Sequence, residues 1–158
     1  VIVTKVPILI GWTAEEAKPY VHIIPSILAY TRWPIVGSLI ERAFVHIVTG
    51  RLFKWPAQGL AEQVNKSGGT AVTYCFNWKP SDSLYGAAHA IDLPFLFGEW
   101  ETWKAAPFLK GASSQKVIAT VGAQVKDLWI AFAKGEDLGK KHFDIGEDFR
   151  YERRSVGH

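Results

Sequence analysis

Residues 6–10, Val6-Pro7-Ile8-Leu9-Ile10, form an unbroken apolar run. Such a run predicts a strand covered on both faces. It ends at Gly11-Trp12-Thr13. Thr13 precedes Glu16 by three residues, the spacing of a capping box. A short helix is therefore expected there, cut off by Pro19. Residues 21–34 are apolar but broken by Pro25 and Pro34, and read as irregular. From Ile35 the spacing turns helical, with Val36, Leu39, Ile40, Phe44, Ile47 and Val48 on one broad face. Gly50 is expected to stop that helix as its C′ residue. A second helix follows Pro56, because Ala57, Leu60, Ala61 and Val64 recur at helical intervals before Ser67-Gly68-Gly69.

Residues 70–78 read as a strand, since Val72, Tyr74, Phe76 and Trp78 alternate with smaller or polar residues. Lys79-Pro80-Ser81-Asp82-Ser83 breaks it. Residues 84–98 are predicted to form a loop rich in small residues. Trp100, Trp103 and Phe108 read as a packing cluster. Residues 115–134 predict a long amphipathic helix with the stripe Val117, Val121, Val125, Leu128, Trp129 and Phe132, and Ser114 as its N-cap. The glycine-punctuated tail offers at most a short strand near 149–151.

Two strands separated by a helical crossover suggest parallel neighbours in an α/β sheet. Two strands do not make a stable sheet alone. The expected fold is α/β, one end of a larger domain with an incomplete sheet, and residues 1–158 are expected to be part of a single domain. The 158 residues contain no Met, which fits an incomplete chain. An independent all-helical binding domain is the rival architecture.

Composition narrows the function classes. Hydrophobic residues make up 48% and charged residues 21%, which argues for a globular chain over a disordered one. Charges, prolines and glycines interrupt every apolar stretch, so no membrane span is expected. The net charge of +3 is modest, and nucleic-acid binding is not expected. The single cysteine, Cys75, excludes an internal disulfide and a cysteine-based zinc site. No two histidines have ligand spacing, so neither metal nor cofactor is expected. These features leave the compartment open.

The candidate chemistry lies in histidines and carboxylates. His46 falls inside a predicted helix and reads as a structural residue; His22, His142 and His158 sit among loop or tail residues. His89 differs, because Gly86-Ala87-Ala88 precede it and Ala90 follows. Small neighbours permit a tight turn and leave the imidazole free to reach a crevice beyond a strand end. Packing and catalysis stand level for it on spacing alone. Glu15 and Glu16 follow the first strand in the same way. They either decorate a helix N-terminus or supply a carboxylate that orients a histidine acting as general base. Gly68-Gly69 reads as a turn, not a phosphate loop, and Gly111-Ala112-Ser113-Ser114-Gln115 lacks the second glycine of a nucleophile elbow.

Several segments resemble the type-B carboxylesterases (the carboxylesterase–cholinesterase group of α/β-hydrolases). Gly86-Ala87-Ala88-His89-Ala90-Ile91-Asp92-Leu93-Pro94-Phe95-Leu96-Phe97-Gly98 is similar to that family's histidine segment, G-A-x-H-x-x-[DE]-L-x-[YF]-[LV]-F-G. Ile8-Leu9-Ile10-Gly11-Trp12-Thr13-Ala14-Glu15-Glu16 resembles its strand, glycine and acid turn, with the acid five residues after the glycine, at Glu16. Asp127-Leu128-Trp129-Ile130-Ala131-Phe132-Ala133 resembles its W-x-x-F-A helix, and Arg51-Leu52-Phe53 with Pro56 and Leu60-Ala61-Glu62 resembles the run before the histidine strand. Ala17, Ala90 and Gly50 stand where the family more often has Gly, Gly and Asp.

The resemblance implies the C-terminal portion of an α/β-hydrolase fold. His89 would be the general base and Glu16 the residue that orients it, with Glu15 dispensable. In this fold the chain order is nucleophile, acid, histidine. The resemblance therefore implies a partner: an N-terminal chain or segment carrying the nucleophilic serine. Residues 22–55 are expected to line or lid the pocket, and their apolar content suggests a small hydrophobic ester as substrate. The alternative is a non-catalytic binding or adhesion protein on the same fold.

Overall fold

The computed structural model describes residues 6–152. His158 lies outside them. Strand β1 (Ile8–Thr13) is followed by helices α1 (Lys18–Ile23), α2 (Pro25–Thr31), α3 (Gly37–Thr49) and α4 (Trp55–Lys66), then by strand β2 (Ala71–Phe76). Short helices α5 (Leu93–Leu96) and α6 (Trp100–Trp103) lead to the long helix α7 (Ser114–Ala133) and to strand β3 (His142–Ile145). The three strands form one parallel sheet in the order β1-β2-β3, with Gly11 opposite Tyr74 and Tyr74 opposite Phe143. The architecture is α/β, which rules out the all-helical reading.

Strand alternation decides the layers. Val72 and Phe76 of β2 are buried against α7, whose Val121, Val125 and Leu128 have no exposure. Tyr74 packs on Trp129 at 4.8 Å between ring centroids, with the rings tilted by 59°. The opposite face of β1 and β2 carries Ile8, Ile10 and Ala71, which pack on Ala61 and Val64 of α4. Gly11 is bare because a Cβ there would strike the Tyr74 ring. Trp100, Trp103 and Phe108 all pack against the main core, as expected.

Several local expectations fail for identifiable reasons. Pro19 and Pro25 lie in the first turns of α1 and α2 rather than interrupting them. Proline suits those positions, where no intrahelical N–H bond is needed. Gly50 does not end α3: its φ of −59° and ψ of −55° are right-handed, and the chain runs on through a π-helical turn, Gly50–Lys54, into α4. The predicted face of α3 is turned partly outward, with Leu39 and Ile47 exposed and Val45 buried. His46 is exposed. Ser113, not Ser114, is the N-cap of α7, and Ser114 is fully buried in its first turn. The tail strand is 142–145, not 149–151, so His142 lies on a strand and His22 in α1. Among the described residues no helix is long and apolar enough to cross a membrane.

Candidate active site

The acid turn follows β1 directly. Ala14 N–H donates to the Phe76 carbonyl at 2.7 Å, carrying the strand pairing past the last residue of β1. Glu16 Oε1 then accepts the Thr13 N–H at 2.7 Å. This is the carboxylate half of a capping box, but it closes a turn and not a helix, because α1 begins only at Lys18. Ala17 N–H donates to Thr49 Oγ1 at 3.2 Å, tying the turn to the end of α3. Glu16 is 5% exposed, so its second oxygen needs a partner inside the fold.

That partner is His89, whose Nδ1 lies 2.6 Å from Glu16 Oε2. Burial of an ionised carboxylate against one ring nitrogen favours the proton on Nδ1, leaving Nε2 with a free lone pair. The His89 side chain remains 57% exposed. Among the described residues Nε2 has no hydrogen-bond partner. The loop after β2 reaches this position through two left-handed residues, Gly86 (φ 57°) and Ala90 (φ 67°). Ala90 occupies the place where the resembled family more often has glycine, and there the extra Cβ sits in a disfavoured conformation.

Glu15 points the other way. Its Oε2 accepts the Ala87 N–H at 3.0 Å and lies 3.1 Å from Lys79 Nζ, while Oε1 lies 3.3 Å from Lys18 Nζ. Burial pushes its carboxyl up, but the Ala87 N–H, Lys79 and Lys18 outweigh burial and hold it below the ordinary value of 4.5. The two adjacent glutamates are thus separated: Glu16 meets the imidazole and Glu15 meets the loop that carries it.

Asp92 and Tyr74 complete the surroundings. Burial raises the Asp92 carboxyl, and the nearby Glu16 charge adds to that. Burial likewise raises the Tyr74 phenol, assisted by the charges of Asp92 and Glu16. The phenol therefore stays protonated beside Asp92. Phe53, on the π-helical turn, approaches the His89 ring to 5.8 Å between centroids.

An apolar cavity of about 300 Å³ opens beside His89, walled by Tyr20, Ile23, Tyr85, Pro107 and Phe108. Ile23 lies within residues 22–55, the stretch expected to line or lid the pocket, and Phe53 of the same stretch lines a second cavity together with Glu16 and His89. Phe108, read from sequence as packing alone, also faces this cavity. Thr49, Lys79 and Tyr85 carried no sequence signal, because each acts through a long-range contact. Among the described residues no group of three or more His, Cys, Asp or Glu could hold a metal ion.

No family model matches the chain. A probable N-octanoylanthranilate hydrolase of Rhodococcus erythropolis is 32% identical over 125 residues, covering 79% of this chain and 27% of that protein. The phenmedipham hydrolase of Pseudarthrobacter oxydans is 32% identical over 76 residues, 48% of this chain and 15% of that protein. The para-nitrobenzyl esterase of Bacillus subtilis (strain 168) is 25% identical over 146 residues, 82% of this chain and 29% of that protein. The chain thus spans less than a third of the length of each of these curated relatives. With an esterase and two hydrolases among these relatives, the chain resembles the carboxylesterases in sequence as well as in motif.

Proposed function

We propose that this chain supplies the acid and the histidine of a serine carboxylesterase. The observation that carries the reading is the 2.6 Å contact between buried Glu16 and exposed His89, beside an apolar cavity. A carboxylate–imidazole pair with one ring nitrogen free is what a serine nucleophile needs as its base. The nucleophile would come from a segment outside residues 1–158. The hydrolase and esterase names of the relatives support an ester or amide bond as the target.

In this reading His89 Nε2 takes the serine Oγ proton as Oγ attacks the ester carbonyl. The tetrahedral intermediate collapses, the acyl–oxygen bond breaks, and the alcohol leaves with that proton. Water then gives its proton to Nε2 while attacking the acyl-serine, and the carboxylic acid departs as Oγ recovers a proton. Glu16 keeps the Nδ1 proton in place and stabilises the imidazolium. The cavity walls fit an apolar or aromatic group of the ester.

The native protein is treated with a fluorophosphonate probe, and the labelled serine is located by mass spectrometry. A label outside residues 1–158, lost in His89→Ala, is expected. Absence of any label would overturn the serine-esterase reading and favour a non-catalytic binding protein.

A further inference from the structure

The loop between β2 and α5 must hold His89 against Glu16 across a 16-residue connection, residues 77–92. Its first half is fixed by the Asp82 N–H to the Lys110 carbonyl at 3.1 Å. Close to His89, a two-point tie runs to the acid turn: Glu15 N–H donates to the Ala87 carbonyl at 3.0 Å, and Ala87 N–H donates to Glu15 Oε2 at 3.0 Å. Gly86 accommodates this tie because a Cβ there would collide with the Glu15 carboxylate. Ala87 and Ala88 are buried, which leaves their backbone groups dependent on such partners. Lys18, the first residue of α1, and Lys79, in the loop after β2, brace the carboxylate.

We propose that Glu15 is a positioning residue: it clamps the His89 loop onto the acid turn, so that the two adjacent glutamates divide the work of orienting one imidazole. Glu16 sets the tautomer from within the pair, and Glu15 sets where the ring stands. The motif resemblance alone leaves Glu15 dispensable; its tie to Ala87 argues otherwise. The role in catalysis rests on His89 being the general base, whereas the clamp itself does not. A small misplacement of a base costs disproportionately in rate, on the order of 10²-fold per ångström.

The test compares wild type, Glu15→Ala and Glu15→Gln in the native protein. Hydrogen exchange is followed by mass spectrometry on residues 84–91, the low-field proton resonance of His89 Nδ1 by NMR, and ester hydrolysis by kcat and KM. Glu15→Ala is expected to raise loop exchange about tenfold, to weaken and shift the resonance, and to lower kcat about tenfold with KM nearly unchanged. Glu15→Gln should fall between, since its amide oxygen can still accept the Ala87 N–H while the charge is lost. Unchanged exchange in Glu15→Ala would overturn the clamp. Faster exchange with an unaltered His89 resonance would overturn the positioning role. If wild type hydrolyses no ester, the esterase reading fails, and the exchange and resonance data still decide the clamp.

Discussion

Glu16 and His89 meet at 2.6 Å although 73 residues separate them. The parallel pairing of β1 with β2 brings this about, because both residues follow the carboxyl ends of adjacent strands. Crevices at that edge are where open α/β sheets place their chemistry.

His89→Ala is expected to lower kcat for a p-nitrophenyl ester by about 10⁴-fold or more, and Glu16→Gln by about 10²–10⁴-fold. Circular dichroism checks that both variants stay folded. A rate within tenfold of wild type for His89→Ala would remove it from the chemistry.

Ala90 holds a left-handed conformation at φ 67°. An L-residue there costs about 1–2 kcal/mol. Glycine relieves that cost but forfeits about 0.5–1 kcal/mol to the unfolded chain's greater freedom. Ala90→Gly should therefore raise the urea midpoint slightly, by a net gain of up to about 1.5 kcal/mol. A lower midpoint would show that the position carries no strain.

Gly11 lies under the Tyr74 ring, which in turn packs on Trp129. A methyl group there must displace the ring or part the two strands. Gly11→Ala is expected to destabilise by about 1–3 kcal/mol, the usual cost of overpacking, read from denaturant unfolding.

Glu15 and Asp92 make opposite contributions to acid stability. Glu15 is held below its ordinary 4.5, so its stabilisation is present above that value and is lost as pH falls through the lower folded value. The melting-temperature difference between wild type and Glu15→Gln should be widest near neutral pH and close as pH drops below 4.5. Asp92 is raised above its ordinary 3.8, so the folded state binds its proton more readily, and this group favours folding as pH falls through the raised value. Asp92→Asn should reduce that gain. Thermal melts of the two variants from pH 3 to 8 separate the effects.

Cys75 is partly buried, and burial, with the Asp144 charge, pushes its thiol from 9.0 to about 11. Only the thiolate reacts, so at pH 8 its population is about a hundredfold below that of a thiol at the ordinary value. Iodoacetamide should label Cys75 far more slowly in the native protein than after unfolding in urea.

The long helix 115–134, helix α4 and the β2 strand were legible in the sequence, because each buries one face and repeats its apolar residues at the matching period. The pairing of β1 with β2 followed from the crossover between them. Glu16 and His89 were named from a motif resemblance; neither spacing nor composition favoured them over structural roles. Strand β3 leaves little trace in the sequence because it is four residues long and alternates exposed His142 and Asp144 with Phe143 and Ile145 inside a charged tail. The helical run through Gly50 was hidden because tertiary packing, not glycine's own preference, set its backbone. Local periodicity thus determined α4, α7 and β2 with their buried faces, but not the buried face of α3. The motif resemblance singles out Glu16, but only the tertiary structure decided that Glu15 meets Ala87, because a one-residue step in a tight turn sends adjacent side chains to different partners.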